Sequence, residues 1–540
     1  MHHVSRWILL CTVAVAPLSA SAADFEGLFK GHDLTEPGCV VGVSRQGQPE
    51  KFGAYGAADI EHAVPNTTDT IMEAGSVSKQ FTATAILMLA EDGKLALTDD
   101  IRKYLPEMPD YGTPITINHL LSHTSGLRDW GEVFNLVGWP RTEMVFTNRE
   151  ALQISTRQKA LNYKPGEAYS YNNTGFTLAA IIVERISGKS FPDFTRERIF
   201  TKFGMSKTSW RDNFRRTVLN RAIAYREKSA EGFLQEMPFE DTYGHGALLT
   251  TAHDLLTWND VLASRKLGEF VTKRLEEQAV LTGGRKISYA RGLVFGTYNG
   301  LPEISHGGST AAYRTWVARY PSLKMSVAVL CNGGGIDATK LGRESVAALR
   351  PNVPAPAPEA TASTPTAIEL SQLPGLYIDE RTGHSARIVA SEGALKFIAL
   401  ETARETNLVR LSENRYLRGA AEVTFKGASL ESRGNDGETT AFRKVDPYAP
   451  SAAELQAVVG DYASAEVDGV LDLSVKDGRL IFAPANRPSV AGPLTPLSRD
   501  IYHDAEGLIA IVRGAGGKVE GIRFIRPRIY SIVFTRAAAR

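Results

Sequence analysis

The spacing of apolar positions changes character along the chain. Phe81, Ala85, Ile86, Leu87 and Leu89 recur at helical spacing, and Gly93 is placed to end that helix. Leu178, Ile181, Ile182 and Ile186 repeat the pattern, with Gly188 as the stop. Residues 324–332, KMSVAVLCN, form an unbroken apolar run of the kind a buried strand shows. Residues 295–298 and 316–320 are weaker strand candidates. Beyond residue 368 the period shortens to two, as in Leu471-Asp472-Leu473-Ser474-Val475, with Gly, Asp and Asn turns between runs. A mixed α/β region is therefore followed by an all-β tail.

The tail repeats itself. Leu370, Gly375, Tyr377, Gly393, Leu395 and Phe397 recur as Leu455, Gly460, Tyr462, Gly478, Leu480 and Phe482, each pair 85 residues apart. Leu411, Ser412 and Tyr416 recur at Leu497, Ser498 and Tyr502, 86 apart, so one residue has been inserted. Two copies are too few for a solenoid and fit two small antiparallel barrels or sandwiches. Residues 351–367, PNVPAPAPEATASTPTA, bury little and read as a linker. The expected layout is a signal peptide over 1–22, a catalytic region over 23–350, the linker, and barrels over 368–448 and 449–540.

Composition narrows the partners. Of 540 residues, 61 are Lys or Arg and 60 are Asp or Glu, a formal net charge of +1. That balance speaks against a strongly basic nucleic-acid binder. Arg6, the apolar residues 7–16 and the small-residue site Ala20-Ser21-Ala22 read as a secretory leader, with the mature chain starting near Ala23. A periplasmic or secreted protein without a membrane span after cleavage is the expectation. Cys39 and Cys331 lie in apolar runs. An oxidising compartment permits a disulfide, but two small buried hydrophobes are the favoured reading. Neither has a His or Cys at metal spacing, so no metal and no cofactor is expected.

Three stretches carry candidate chemistry. In Ser76-Val77-Ser78-Lys79 the serine sits where a helix begins and Lys79 lies one turn on, along the same face. A serine hydroxyl needs a base, and a desolvated lysine can be one. Tyr171-Asn172-Asn173 offers a phenol to shuttle a proton and an amide that accepts from Lys79 and donates to substrate. His306-Gly307-Gly308-Ser309 lets substrate approach a strand edge, and the Ser309 N–H could join that of Ser76 in an oxyanion hole. In isolation each stretch also reads as an ordinary helix cap, a packed tyrosine or a turn.

Together, and in this order, they resemble the penicillin-recognising serine hydrolases: class C β-lactamases, D,D-peptidases, D-aminopeptidases and related esterases. The resemblance spans about 30–345 and includes residues 116–127, TINHLLSHTSGL, and 246–255, GALLTTAHDL. It implies Ser76 as the acylated nucleophile, Lys79 and Tyr171 as the acid–base pair, and Asn173, His306, Gly308 and Ser309 as substrate contacts. The implied fold is an antiparallel sheet flanked by helices, with an all-helical subdomain. His123, His245 and His253 are implied to be structural. Absence of a G-x-S-x-G elbow argues against the α/β-hydrolase route.

Within that family a lysine usually occupies the position of His306 and holds the substrate carboxylate. A histidine, neutral near pH 7.5, favours substrates with no carboxylate at that place: amides, esters or N-terminal D-residues. A catalytic domain followed by two β-barrels is similar to the D-aminopeptidases, where a barrel loop enters the active site. The expected substrate is a small peptide, amide or ester. β-Lactamase, D,D-carboxypeptidase or carboxylesterase activity, a non-catalytic penicillin-binding scaffold, and a homodimer remain open.

Overall fold

A computed structural model describes residues 25–46, 48–141, 143–350, 363–419, 421–434, 438–504 and 506–537. The leader over 1–22 lies outside them, as does most of the linker. The described chain resumes at residue 363, and Thr366 already caps a helix, Ala367–Gln372.

The front region is built on a six-stranded antiparallel sheet. Its strands are β1 (Cys39–Arg45), β2 (Gln48–Tyr55), β3 (Val294–Tyr298), β4 (Leu301–Thr310), β5 (Tyr313–Tyr320) and β6 (Met325–Cys331), in the spatial order β2-β1-β6-β5-β4-β3. The apolar run at 324–332 becomes β6, buried at every position between β1 and β5. Helices α1 (Lys79–Glu91) and α2 (Thr174–Ser187) are apolar nearly all round, and both lie inside the main core with Phe81, Leu87, Phe176 and Ile182. Gly188 ends α2 in the left-handed region, as its spacing predicts. The His306–Ser309 stretch lies within β4 and is paired to β5, the strand that follows it.

The cysteines correct the sequence reading. Cys39 and Cys331 stand opposite each other in the register of β1 and β6, with Cα atoms 4.0 Å apart, and form a disulfide. Strand pairing brought together residues 292 apart in sequence, which no local pattern reports.

The tail folds as two antiparallel units. Eight strands from Gly375–Ile378 to Thr439–Val445 close into a barrel. Nine strands from Gly460–Ala463 to Ile529–Arg536 form a second sheet whose end strands are Gly492–Pro493 and Thr495–Ser498. Those opposite ends are one residue apart in the chain, so the sheet curls almost to closure. The repeat is visible atom by atom. Tyr377 Oη donates to Leu373 O at 2.8 Å, and Tyr462 Oη donates to Val458 O at 2.5 Å, 85 residues on.

The second barrel shares its core with the front region. Trp130, Val133, Leu136, Phe146 and Ile154 pack in one cluster with Leu471, Ile509, Phe524 and Phe534. Among the described residues no helix is long and apolar enough to cross a membrane.

Candidate active site

Ser76 lies on a 3₁₀ turn, Gly75–Ser78, that runs directly into α1 at Lys79. Sequence spacing placed it at an α-helix start; the tighter turn precedes that start. Gly75 has φ +50°, and a Cβ there would come within 2.7 Å of Ser309 N. A Cβ on Gly308 would come within 2.0 Å of Ala74 O. Only glycines allow β4 and the serine turn to approach this closely, which sets the Ser309 backbone N–H beside Ser76.

Lys79 is fully buried. Its Nζ donates to Ser76 Oγ at 3.1 Å, Asn173 Oδ1 at 3.0 Å and His245 O at 2.7 Å. Burial, then the positive charge of Arg528, holds its pKa well below the ordinary lysine value; Asp129 opposes this and Arg141 adds to it. A neutral amine here keeps two donors for Asn173 and His245 and turns its lone pair to the serine.

Tyr171 lies against the same lysine, whose Nζ is 4.7 Å from the ring centroid. Burial pushes the phenol above its ordinary pKa, with the Ser76 hydroxyl opposing. The phenol is therefore protonated at neutral pH. Asp129 accepts from Asn173 N at 2.6 Å, which fixes the asparagine where α2 begins.

His306 faces the cavity from β4. Its Nδ1 approaches Gly307 O at 2.6 Å and its Nε2 approaches Tyr289 Oη at 3.3 Å. Burial, and next the Lys79 charge, lowers its pKa to about 4. It is neutral above that, as its sequence position suggested. His123 is buried behind Tyr171, with Nε2 3.0 Å from Tyr289 Oη and Nδ1 accepting from Asn172 N at 3.3 Å. It packs on the Tyr171 ring at 4.2 Å between centroids. His245 reaches the cavity wall, while His253 is mostly exposed and lies outside that wall.

These groups surround a cavity of about 750 Å³ that contains Ser76, Tyr171, Asn173, His306, Gly308 and Ser309 on its wall. Lys79 lies directly beneath. The structure thus brings all seven sequence-predicted residues to one place. It adds Arg141, Arg528 and Asp337, which sequence reasoning missed, and Arg314, the residue five positions beyond Ser309.

Arg528 comes from the far end of the chain. It occupies the turn between the long strands Val519–Arg526 and Ile529–Arg536 of the second barrel. The turn is bolted to the front region. Asp129 N and Asn162 Nδ2 donate to Arg528 O at 3.3 and 3.0 Å, and Tyr530 N donates to Asn162 Oδ1 at 2.9 Å. The guanidinium lies 5.4 Å from the Tyr171 ring centroid. A doubled arginine at 526 and 528 around Pro527, with no counterpart in the first copy, was the one available sequence signal.

The sequence profile of the Beta-lactamase family matches residues 28–349. A D-aminopeptidase of Cereibacter sphaeroides is 27% identical over 511 residues, which cover 92% of this chain and 94% of that one. An octameric penicillin-binding protein homologue from Pyrococcus abyssi has a TM-score of 0.52 at 24% identity, over 76% of this chain and 96% of its own. The D-amino acid amidase of Ochrobactrum anthropi SV3, complexed with L-phenylalanine amide, has a TM-score of 0.52 at 21% identity, over 61% and 97%. The two solved structures share the fold. With a buried lysine under a serine, and the family profile covering more than half of the residues, the chain belongs to the Beta-lactamase family and is a serine hydrolase.

Proposed function

We propose that the chain is a D-aminopeptidase-like hydrolase that cleaves amide bonds following a D-amino acid, through an acyl-enzyme on Ser76. The observation that carries this reading is the neutral His306 at the edge of a cavity built on Ser76 and Lys79, where a fixed charge would hold a carboxylate. Relatives named D-aminopeptidase that match along nearly the whole chain, barrels included, support it.

Ser76 Oγ attacks the carbonyl carbon and its proton passes to Lys79 Nζ. The oxyanion collects the N–H groups of Ser76 and Ser309. Tyr171, protonated because of its raised pKa, gives its proton to the leaving nitrogen and recovers one from Lys79. The C–N bond breaks, the ester on Ser76 remains, and water discharges it by the reverse proton path. Asn173 and the His306–Ser309 edge hold the acyl part.

The same proposal includes export to the periplasm or beyond, supported by the basic-apolar-small leader and by the Cys39–Cys331 disulfide. It also includes assembly as a homodimer, which size-exclusion with light scattering reads directly.

The test is a turnover panel on the purified full chain. It contains D- and L-aminoacyl amides, a D-Ala-D-Ala peptide, a chromogenic cephalosporin and p-nitrophenyl esters. Selective cleavage of the D-aminoacyl amides is expected. A preference for the cephalosporin, the D-Ala-D-Ala peptide or the esters would overturn the reading in favour of a β-lactamase, a carboxypeptidase or an esterase. Failure of a fluorophosphonate to label Ser76 would point to a silent scaffold.

A further inference from the structure

The cavity wall holds three arginines and one carboxylate, Asp337. Asp337 is spent as a helix cap, its Oδ1 accepting from Lys340 N at 2.9 Å. Two of the arginines are committed as well. Arg141 is bound to Glu240, its Nε donating to Oε2 at 2.7 Å. Arg314 Nη1 donates to the backbone oxygens of Ala311 and Tyr313 at 2.8 and 2.9 Å. Arg528 differs. Among the described residues its guanidinium makes no hydrogen bond and one long ion pair, 3.7 Å from Nη1 to Glu132 Oε1. Its side chain is 38% exposed on the cavity wall, and the carboxylates that act on it are Asp129 and Glu132.

Its position says which part of a substrate it meets. A proton donor must lie against the leaving nitrogen, because that is the atom it protonates. Tyr171 is that donor in the mechanism above, so the leaving group passes over Tyr171. The Arg528 guanidinium lies against the Tyr171 ring, and the turn that carries it is fixed by Asp129 N and Asn162 Nδ2, which donate to Arg528 O. A planar fork whose N–H donors make no hydrogen bond among the described residues, and whose one ion pair is the long one to Glu132, matches a carboxylate.

We propose that Arg528 is a specificity-determining residue that receives a carboxylate on the leaving group, so that the preferred substrate is a D-aminoacyl amino acid with a free C-terminus. The inference rests on the function proposed above and adds to it the chemistry of the departing half. It is compatible with a neutral His306, because the charge that reads the carboxylate enters from the second barrel.

The experiment compares two substrates that differ at one group, D-alanyl-glycine and D-alanyl-glycinamide, on the full chain and on Arg528→Ala, Arg528→Lys and Arg528→Glu. The wild type is expected to favour the free acid by tenfold or more in kcat/KM, mainly through KM. Arg528→Ala should lower the acid-to-amide ratio of kcat/KM by about 10–100-fold, whatever loss the two substrates share. Arg528→Lys should keep part of the preference, and Arg528→Glu should reverse it. Any effect of the missing charge on Lys79 falls on both substrates and cancels in their ratio. A wild-type ratio near one, or an equal loss on both substrates, would overturn the proposal and leave Arg528 as a packing residue.

A second pair separates this from failure of the D-aminoacyl reading. The 3-carboxyphenyl and 3-carbamoylphenyl esters of acetic acid carry the same difference on a leaving group that any serine acyl-enzyme can release. If the dipeptides are inert but the ester ratio depends on Arg528, the D-aminoacyl reading fails and the assignment of Arg528 to a leaving-group carboxylate stands. If the ester ratio is flat, or none of the four compounds acylates Ser76, the present one fails. Thermal unfolding of each variant shows whether it folds; the Lys and Glu variants keep the test open if the Ala variant does not.

Discussion

The two barrels share a motif and differ in employment. Each begins with a capped helix, a left-handed or near-extended glycine and a tyrosine tied back to that helix, at positions 85 apart. The first barrel closes on itself and keeps a private core of Tyr377, Ile388, Phe397 and Phe425. The second merges its core with Trp130, Val133 and Leu136 of the front region and extends a hairpin to Ser76's cavity. A closed barrel has no free edges and can stand beside an enzyme. A sheet that lends its strands to a neighbour's core becomes part of the enzyme. Duplication therefore supplied one spacer-like copy and one wall of the active site.

The widest gap between the copies should appear on deletion. A chain stopped after Pro450 exposes the apolar faces of Trp130, Val133, Phe146 and Ile154 and loses Arg528. It is expected to be insoluble or unlabelled by fluorophosphonate. Replacing residues 351–447 with a short flexible linker opens the contact of Leu376, Ile378 and Val445 with Leu497, Ile501, Leu508 and Ile525, and that of Arg381 with the Tyr530 ring. Measurable Ser76 labelling should survive. Equal loss in both deletions would show that the copies are equally integrated.

Next in size is a buried ion pair made by each copy, to the front region in one case and within itself in the other. Arg128 in the front region is held by Glu466 of the second barrel and by Gln158 Oε1 at 2.9 Å, with side chains only 3% and 12% exposed at the pair. Glu466→Gln strands a buried guanidinium and should cost about 3–5 kcal/mol, read by denaturant unfolding. It should also lower kcat/KM, because Arg128 O accepts from Thr174 Oγ1 at 2.7 Å, next to Asn173. Glu369→Gln breaks the comparably buried Arg410–Glu369 pair of the first barrel. It should cost stability and leave kcat/KM unchanged in the protein that remains folded.

Much of this site was legible in the chain. Ser76 with Lys79, Tyr171 with Asn173, and His306 to Ser309 are each local: their spacing is set by one turn, one helix start or one strand edge. The apolar runs of α1, α2 and β6 carried the fold for the same reason. What was not legible is long-range. The Cys39–Cys331 pair depends on strand register, and Arg528 depends on how a barrel docks. Trp130, Val133 and Leu136 look like an ordinary amphipathic stretch until the partner that covers them is known. The 3₁₀ geometry at Ser76 was missed because the approach of Gly75 to Ser309 N, not local propensity, sets it.

A smaller effect follows from charge. Hydrolysis needs neutral Lys79 and is lost as pH falls through its pKa. The Arg528 cation helps to hold that pKa down. Removing it stabilises the ammonium, so Arg528→Ala should move the acid limb of kcat/KM to higher pH. Arg381 of the first barrel, which donates to Thr439 O, is absent from the charges that act on Lys79. Arg381→Ala should leave the limb in place. His306, with its pKa at about 4, should add no limb between pH 5 and 8.

The smallest effects test where the copies are the same. Thr366 and Ser451 each accept from the N3 backbone N–H of their helix, and Glu369 and Glu454 return the bond to the cap. Replacing either cap with Ala should cost about 1 kcal/mol, within the usual 0.5–2 range. The two losses should agree within error, because the geometry repeats. Against burial, hydrogen bonds from Thr366, Asn414 and Arg410 bring Glu369 to a pKa of about 2, and those from Tyr448 and Ser451 bring Glu454 to the same value. A carboxylate whose folded pKa is depressed contributes stability above its unfolded value of about 4.3 and loses it as pH falls towards 2. Unfolding of the cap variants should therefore be less sensitive to pH than the parent between about 4.3 and 2. A larger pH dependence left in Thr366→Ala than in Ser451→Ala would trace to the partners the copies do not share, Arg410 and Asn414 on Glu369 against Tyr448 on Glu454.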